Sequence, residues 1–140
     1  MFEQPSSDST LDSDQQEQTQ SRPTLPAAWT KVTLSSNGTK QVSPAWVAEH
    51  GQSVRLVDVR GPDEFFGPLH HVTGSEMVHL SVIASEACAW DKNSPVVVIC
   101  RSAGRSDRAA MALQQMGLKN VASMTGGMLA WHSASLSSST

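Results

Sequence analysis

One stretch of the chain, Val96-Val97-Val98-Ile99-Cys100-Arg101-Ser102-Ala103-Gly104-Arg105-Ser106, limits the fold more than any other. Its first four residues are β-branched, and no polar side chain interrupts them. A strand that is apolar at every position has no face for water, so it belongs inside a parallel sheet covered on both sides. Parallel neighbours are joined by crossovers, ordinarily helical, and the fold class is therefore α/β. Ligands in such sheets bind beyond the carboxyl ends of the strands, where Cys100 stands.

A short basic turn follows Cys100 and opens a helix. Ser106 is the expected N-cap, Ala109, Ala110, Leu113 and Met116 share one face at helical spacing, and Gly117 is the expected stop. Such a turn points backbone N–H groups inward and adds the positive end of a helix, which stabilises an anion at its centre. Arg101 and Arg105 add two formal charges. Cysteines in such surroundings have a pKa lowered from about 8.5 to roughly 3.5–7.5, so a thiolate is predicted at Cys100. A cysteine that merely closed a core strand would not need two arginines beside it, because unpaired cations near a buried site cost stability.

The other elements alternate. Thr39–Val42 reads as a strand, and Pro44–His50 as a helix with Ser43 as cap and Pro44 in its first position. Val54–Val59 and Glu76–Leu80 read as strands, Val82–Trp90 and Ser106–Met116 as helices, and Val121–Met124 as the last strand. The turn Thr125-Gly126-Gly127 then leads into a helix carrying Met128 and Trp131. This order predicts a mainly parallel central sheet of about five strands, flanked by helices and joined by right-handed crossovers.

The chain of 140 residues suits one domain. Residues 1–26 carry five of the thirteen acids, one of the ten bases and almost no apolar side chains, which predicts a disordered acidic Ser/Gln-rich tail. Residues 27–134 form the expected domain, and residues 135–140 a disordered Ser-rich tail. The formal net charge of −3 thus belongs to the N-terminal tail, and the body is close to neutral with its cations partly gathered at the turn. No segment has the ~18 consecutive apolar residues of a membrane span. The N-terminus also lacks the pattern of a secretory or mitochondrial leader, so the cytoplasm is the expected compartment.

Six motifs occur in register along the chain: Val42-Ser43-Pro44-Ala45-Trp46, Leu56-Val57-Asp58-Val59-Arg60, Glu64-Phe65, His71-Val72-Thr73-Gly74-Ser75, Cys100 to Ser106, and Gly126-Gly127-Met128-Leu129-Ala130-Trp131. Together they resemble the single-domain rhodanese family of thiosulfate and persulfide sulfurtransferases, from about Val42 to Ala134. In that resemblance the second motif matches a "DVR" strand end, the fourth a "HIPGA" turn and the last a "GG…W" turn and helix. Departures are Gly61 for the usual glutamate, His70 for glycine, Thr73 for proline and Ala103 for glycine. Alanine is costly at positive φ, so the neighbouring Gly104 is expected to take the permissive position in the turn.

The resemblance implies a rhodanese-like three-layer fold and a sulfurtransferase in which Cys100 takes sulfane sulfur from thiosulfate or a low-molecular-weight persulfide. A thiol or cyanide would accept that sulfur, and a protein acceptor is a further option. Arg101, Ser102, Ala103, Gly104, Arg105 and Ser106 would form the substrate-binding loop, with Arg105 folding back over it as an anion clamp. Asp58 and Arg60, at the end of a strand on the same edge, would brace the loop or pair with each other. No metal or organic cofactor is implied, nor any nucleic-acid or membrane partner. Five histidines (His50, His70, His71, His79 and His132) lack metal-like spacing, and His70-His71 reads as a turn with an exposed side chain. Cys88, in an Ala-rich helix, reads as core.

Two other functions fit a cysteine in a basic loop. A module that carries persulfide sulfur to a protein partner, with weak turnover of free substrates, would keep Cys100. Cysteine-dependent phosphatases and arsenate reductases also set an arginine after their cysteine, but their loops are one residue longer. The four residues between Cys100 and Arg105 make a narrower cradle, suited to a sulfur atom and its substituent.

Overall fold

The computed structural model describes residues 29, 33–34 and 38–136. The tail expected over residues 1–26 and the last four residues of the Ser-rich tail lie outside them. Elements follow in the order β1 (Thr33–Leu34), β2 (Lys40–Val42), α1 (Pro44–His50), a 3-10 turn (Gly51–Ser53), β3 (Arg55–Asp58), α2 (Pro62–Phe65), β4 (Glu76–Met77), α3 (Ile83–Ala87), β5 (Val96–Ile99), α4 (Gly104–Gln115), β6 (Val121–Met124) and α5 (Gly127–Ser133). The strands form one sheet in the order β1-β2-β6-β5-β3-β4. All neighbours are parallel except β1, which runs antiparallel to β2 at the edge.

The central strand β5 is fully buried, as its β-branched run requires. Its side chains alternate between two cores. Val96, Val98 and Cys100 join Val57, Val59, Val121 and the α3/α4 residues Ile83, Ala87, Ala109, Ala110 and Leu113. Val97 and Ile99 join Leu56, Ala122, Met124, Val47 of α1 and Met128 and Trp131 of α5. Helices therefore cover both faces, giving three layers, and Cys100 continues the alternation onto the α3/α4 side.

Several boundaries differ from expectation, each for a local reason. Glu76 and Met77 pair with Val57 and Asp58, but the fourth strand stops there because Arg60 N turns back to Asp58 Oδ1 and Leu80 N bonds the Val59 carbonyl. Between β3 and β4, where no helix is expected, lies the one-turn helix α2, started by Pro62 after an extended Gly61. Helix α3 is shorter than Val82–Trp90, and Cys88 at its end is exposed, donating to the Ala84 carbonyl at 3.4 Å. The polar faces of Ser85 and Glu86 leave only Ile83 and Ala87 of α3 buried, so Cys88 falls outside the core stripe. Leu136, placed with the C-terminal tail above, packs against the α1/α5 core. Among the described residues no helix is long and apolar enough to cross a membrane.

Ser43 caps α1 as the sequence suggests, accepting from Trp46 N at 3.0 Å with Pro44 in the first turn. Gly117, at φ 101°, ends the α4 segment where a left-handed residue is needed.

Candidate active site

Cys100 is the first residue beyond β5 and is 1% exposed. The chain turns there and enters α4 at Gly104, two residues earlier than the expected Ser106 cap. The cap position belongs to Ala103, at φ 111° and ψ −21°. Alanine, and not Gly104, therefore takes the left-handed conformation, at a cost on the order of 1–2 kcal/mol. Two bonds oppose that cost, since the Ala103 carbonyl accepts from Asp107 N at 2.9 Å and from Ser106 Oγ at 3.0 Å. The same geometry aims the Ala103 N–H at Cys100 Sγ, 3.0 Å away.

Ser106 caps nothing because its side chain faces inward. It is buried, its hydroxyl lies 3.4 Å from Cys100 Sγ, and it lies 2.7 Å from the hydroxyl of Ser123 on β6. Ser123 is a polar residue in the middle of an otherwise apolar strand, which is the sequence signal that points to it.

The carbonyls of the turn are held from behind. Met128 N donates to the Cys100 carbonyl at 2.8 Å and Leu129 N to the Arg101 carbonyl at 2.9 Å. These donors are among the free N–H groups at the start of α5. The approach is close enough to require Gly127, whose φ is 59° and where a Cβ would meet Arg101 C at 2.5 Å and also the Cys100 carbonyl oxygen. With its carbonyls drawn toward α5, the turn presents the Ala103 N–H to the sulfur.

The charges are arranged differently from the expected clamp. Arg105 Nη1 and Nη2 donate to Glu64 Oε1 and Oε2 at 2.7 and 2.8 Å, a bidentate pair that occupies the guanidinium fork. Hydrogen bonding from Arg105 holds the Glu64 carboxyl below the usual carboxylate range, against opposing desolvation, with smaller help from the Arg105 charge, the Gly61 amide and the Arg60 charge. The same bond holds Arg105 above its ordinary value, again against desolvation, with the charges of Glu64, Cys100 and Asp58 adding to it. In the sequence Glu64 stands out only as part of a motif. Its partner follows from the geometry of α2, which starts at the end of β3 and faces the Cys100 loop. Arg101, Ser102 and Gly104 are exposed, and the Arg101 guanidinium bonds no described residue.

Asp58 and Arg60 are buried and pair with each other: Arg60 Nε and Nη2 donate to Asp58 Oδ1 and Oδ2 at 2.8 and 2.7 Å. Arg60 Nη2 also donates to the His70 carbonyl at 2.8 Å, which fixes His70 at φ 57°. No hydrogen bond among the described residues joins either to residues 100–106, and their influence there is through charge. His71 is not an exposed turn residue. Its ring stacks on Phe65 at 3.7 Å and its Nδ1 lies 2.9 Å from the Phe65 carbonyl, pinning α2 and hence Glu64.

The family described as Rhodanese-like domain matches residues 43–134. The thiosulfate sulfurtransferase GlpE of Pseudomonas aeruginosa PAO1 is 30% identical over 95 residues, covering 67% of this chain and 84% of that protein. An uncharacterized protein of Synechocystis is 34% identical over 84 residues, 60% of this chain; the chain spans 46% of that protein's length. Among solved structures, a rhodanese-related protein from Thermoplasma volcanium superposes with a TM-score of 0.62 at 26% identity, over 69% of this chain and 94% of that one. A Rhodopseudomonas palustris protein, described as of unknown function and a possible tyrosine phosphatase, has a TM-score of 0.63 at 25% identity, covering 72% and 85%.

Proposed function

The chain belongs to the rhodanese-like family, and on that premise we propose that it is a sulfurtransferase that carries sulfane sulfur on Cys100. One observation supports this reading above the rest: a cysteine sulfur at the carboxyl edge of a parallel sheet receives a backbone N–H at 3.0 Å from a turn whose carbonyls are tied back to α5. Fixed N–H dipoles aimed at a site of negative charge need no reorganisation during reaction.

The proposed cycle is covalent and of the ping-pong kind. The Cys100 thiolate attacks the sulfane sulfur of thiosulfate or of a small persulfide. The donor's S–S bond breaks, sulfite or the donor thiolate leaves with the electron pair, and Cys100 is left as Sγ–S⁻. An acceptor thiolate or cyanide then attacks the outer sulfur, and the Sγ–S electron pair returns to Cys100. Ala103 N–H and the start of α4 stabilise the charge on the sulfur, and the exposed Arg101 meets the anionic donor. Arg105 shapes the loop through Glu64 and does not clamp the donor.

That pairing also separates the reading from a phosphatase. A phosphate dianion in a cysteine loop needs a free guanidinium fork, whereas both outer nitrogens of Arg105 are occupied by Glu64. The test is incubation with thiosulfate and, separately, glutathione persulfide, followed by intact mass. Gain of one sulfur atom on the wild type and none on Cys100→Ser is expected. Absence of loading by either donor, or Cys100-dependent hydrolysis of p-nitrophenyl phosphate at a comparable rate, overturns the reading.

A further inference from the structure

We propose that Ser123 is a positioning residue for the Cys100 sulfur, acting through the Ser106 hydroxyl. The inference rests on the reading of Cys100 as the nucleophile. Ser123 is fully buried on β6, beside Val98 of β5, on the sheet face that also carries the buried Ser106 hydroxyl. A buried hydroxyl must place its proton, and the Ser106 oxygen at 2.7 Å is its hydrogen-bond partner. Ser123 therefore donates and Ser106 accepts.

The Ser106 proton then has two destinations, the Ala103 carbonyl at 3.0 Å and Cys100 Sγ at 3.4 Å. With Cys100 as a thiol, its S–H donates to Ser106 Oγ, and Ser106 donates to the Ala103 carbonyl. With Cys100 as a thiolate, the Ser106 O–H turns to the sulfur. The turn leaves nothing unsatisfied, because the Ala103 carbonyl keeps the Asp107 N–H at 2.9 Å and the Ser106 oxygen keeps the Ser123 proton. In the persulfide the charge moves to the outer sulfur and the Ser106 proton returns to Ala103. Ser123 makes this exchange nearly free.

Removing the Ser123 hydroxyl changes the balance in one direction. The S–H of Cys100 becomes the only donor to Ser106 Oγ, so losing that proton orphans a buried oxygen. The thiol form is then favoured over the thiolate. The charged groups around the cradle are Arg101, the Arg105–Glu64 pair, the Asp58–Arg60 pair and Asp107 on α4, and none is changed by substitutions at Ser123.

The experiment is the pH profile of iodoacetamide alkylation in a Cys88→Ser background, where Cys100 is the remaining thiol of the two. It reads the sulfur directly and does not depend on any sulfur donor. The Ser123→Ala profile is expected to move to higher pH, with alkylation on its rising limb slower by about two- to tenfold. Ser123→Thr and Ser123→Val form a matched pair of equal shape, and the first should follow wild type while the second follows Ser123→Ala. In a Ser106→Ala background, Ser123→Ala should add no further displacement. A Ser123→Ala profile that superimposes on wild type, Thr and Val variants that behave alike, or a displacement that persists without Ser106 would each overturn the proposal. Failure of the wild type to load sulfur defeats the sulfurtransferase reading alone, and the alkylation profiles still decide the role of Ser123.

Discussion

Adding one methyl group at Gly127 should dismantle the cradle from outside it. Gly127→Ala places a Cβ 2.5 Å from Arg101 C and 2.6 Å from Arg101 O, and also against the Cys100 carbonyl oxygen. All of these are backbone atoms, so no side chain can swing aside. Alanine at φ 59° costs on the order of 1 kcal/mol by itself. The turn must also retreat from α5, weakening the bonds from Met128 N and Leu129 N, each worth about 1 kcal/mol. The sum is about 3 kcal/mol, which lowers Tm on the order of 15 °C in a domain of this size. Gly104→Ala is the control from the same loop. A Cβ there meets nothing within 4 Å and the residue is helical, so the change should be neutral or stabilising by about 0.5–1 kcal/mol. Calorimetry measures both, and sulfur loading by mass spectrometry measures the cradle. If Gly127→Ala melted within about 3 °C of wild type and loaded sulfur normally, the argument that α5 holds the turn would fail.

Cys100→Ser should abolish cyanide-dependent thiocyanate formation with an unchanged melting curve, because volume is kept and the thiolate is lost; Cys88→Ser should leave turnover near wild type. Arg101→Ala should lower kcat/KM for thiosulfate about tenfold at low ionic strength, with the deficit shrinking in high salt, whereas the Arg105→Ala deficit should be insensitive to salt because it acts through loop shape. Equal salt dependence of the two variants would contradict the assignment of the exposed cation as the donor contact. The Glu64 carboxyl, held low by Arg105, contributes stability above its unfolded value near 4.5 that is lost as pH falls through the depressed folded value. Unfolding free energy of wild type, from thermal melts, should therefore fall more steeply than that of Glu64→Gln as pH is lowered from 5 toward 3, by under about 1 kcal/mol because the pair is partly solvated.

The fold was legible in the parts that repeat a simple pattern. Val96–Ile99 could only be a buried strand, Ser43-Pro44 could only open a helix, and Cys100 had to lie at the carboxyl edge. Contacts between distant segments were not legible, since nothing in the spacing of Glu64 and Arg105 or of Ser106 and Ser123 announces that they meet. Ser106 misled for a physical reason: serine at a helix start usually caps, but here a buried sulfur and a second hydroxyl compete for it. Ala103 misled likewise, because bonds from Asp107 N and Ser106 Oγ hold an alanine where conformational preference asks for the glycine beside it.

The tie between the Cys100 turn and the start of α5 has a temporal side during synthesis. Cys100 leaves the ribosome before Gly127, Met128 and Leu129 do, and until they arrive the Cys100 and Arg101 carbonyls have no donors from behind. The Ala103 N–H is then not yet fixed on the sulfur. On the proposed reading, a nascent chain in this interval holds Cys100 in an unfinished cradle, and the docking of α5 completes it.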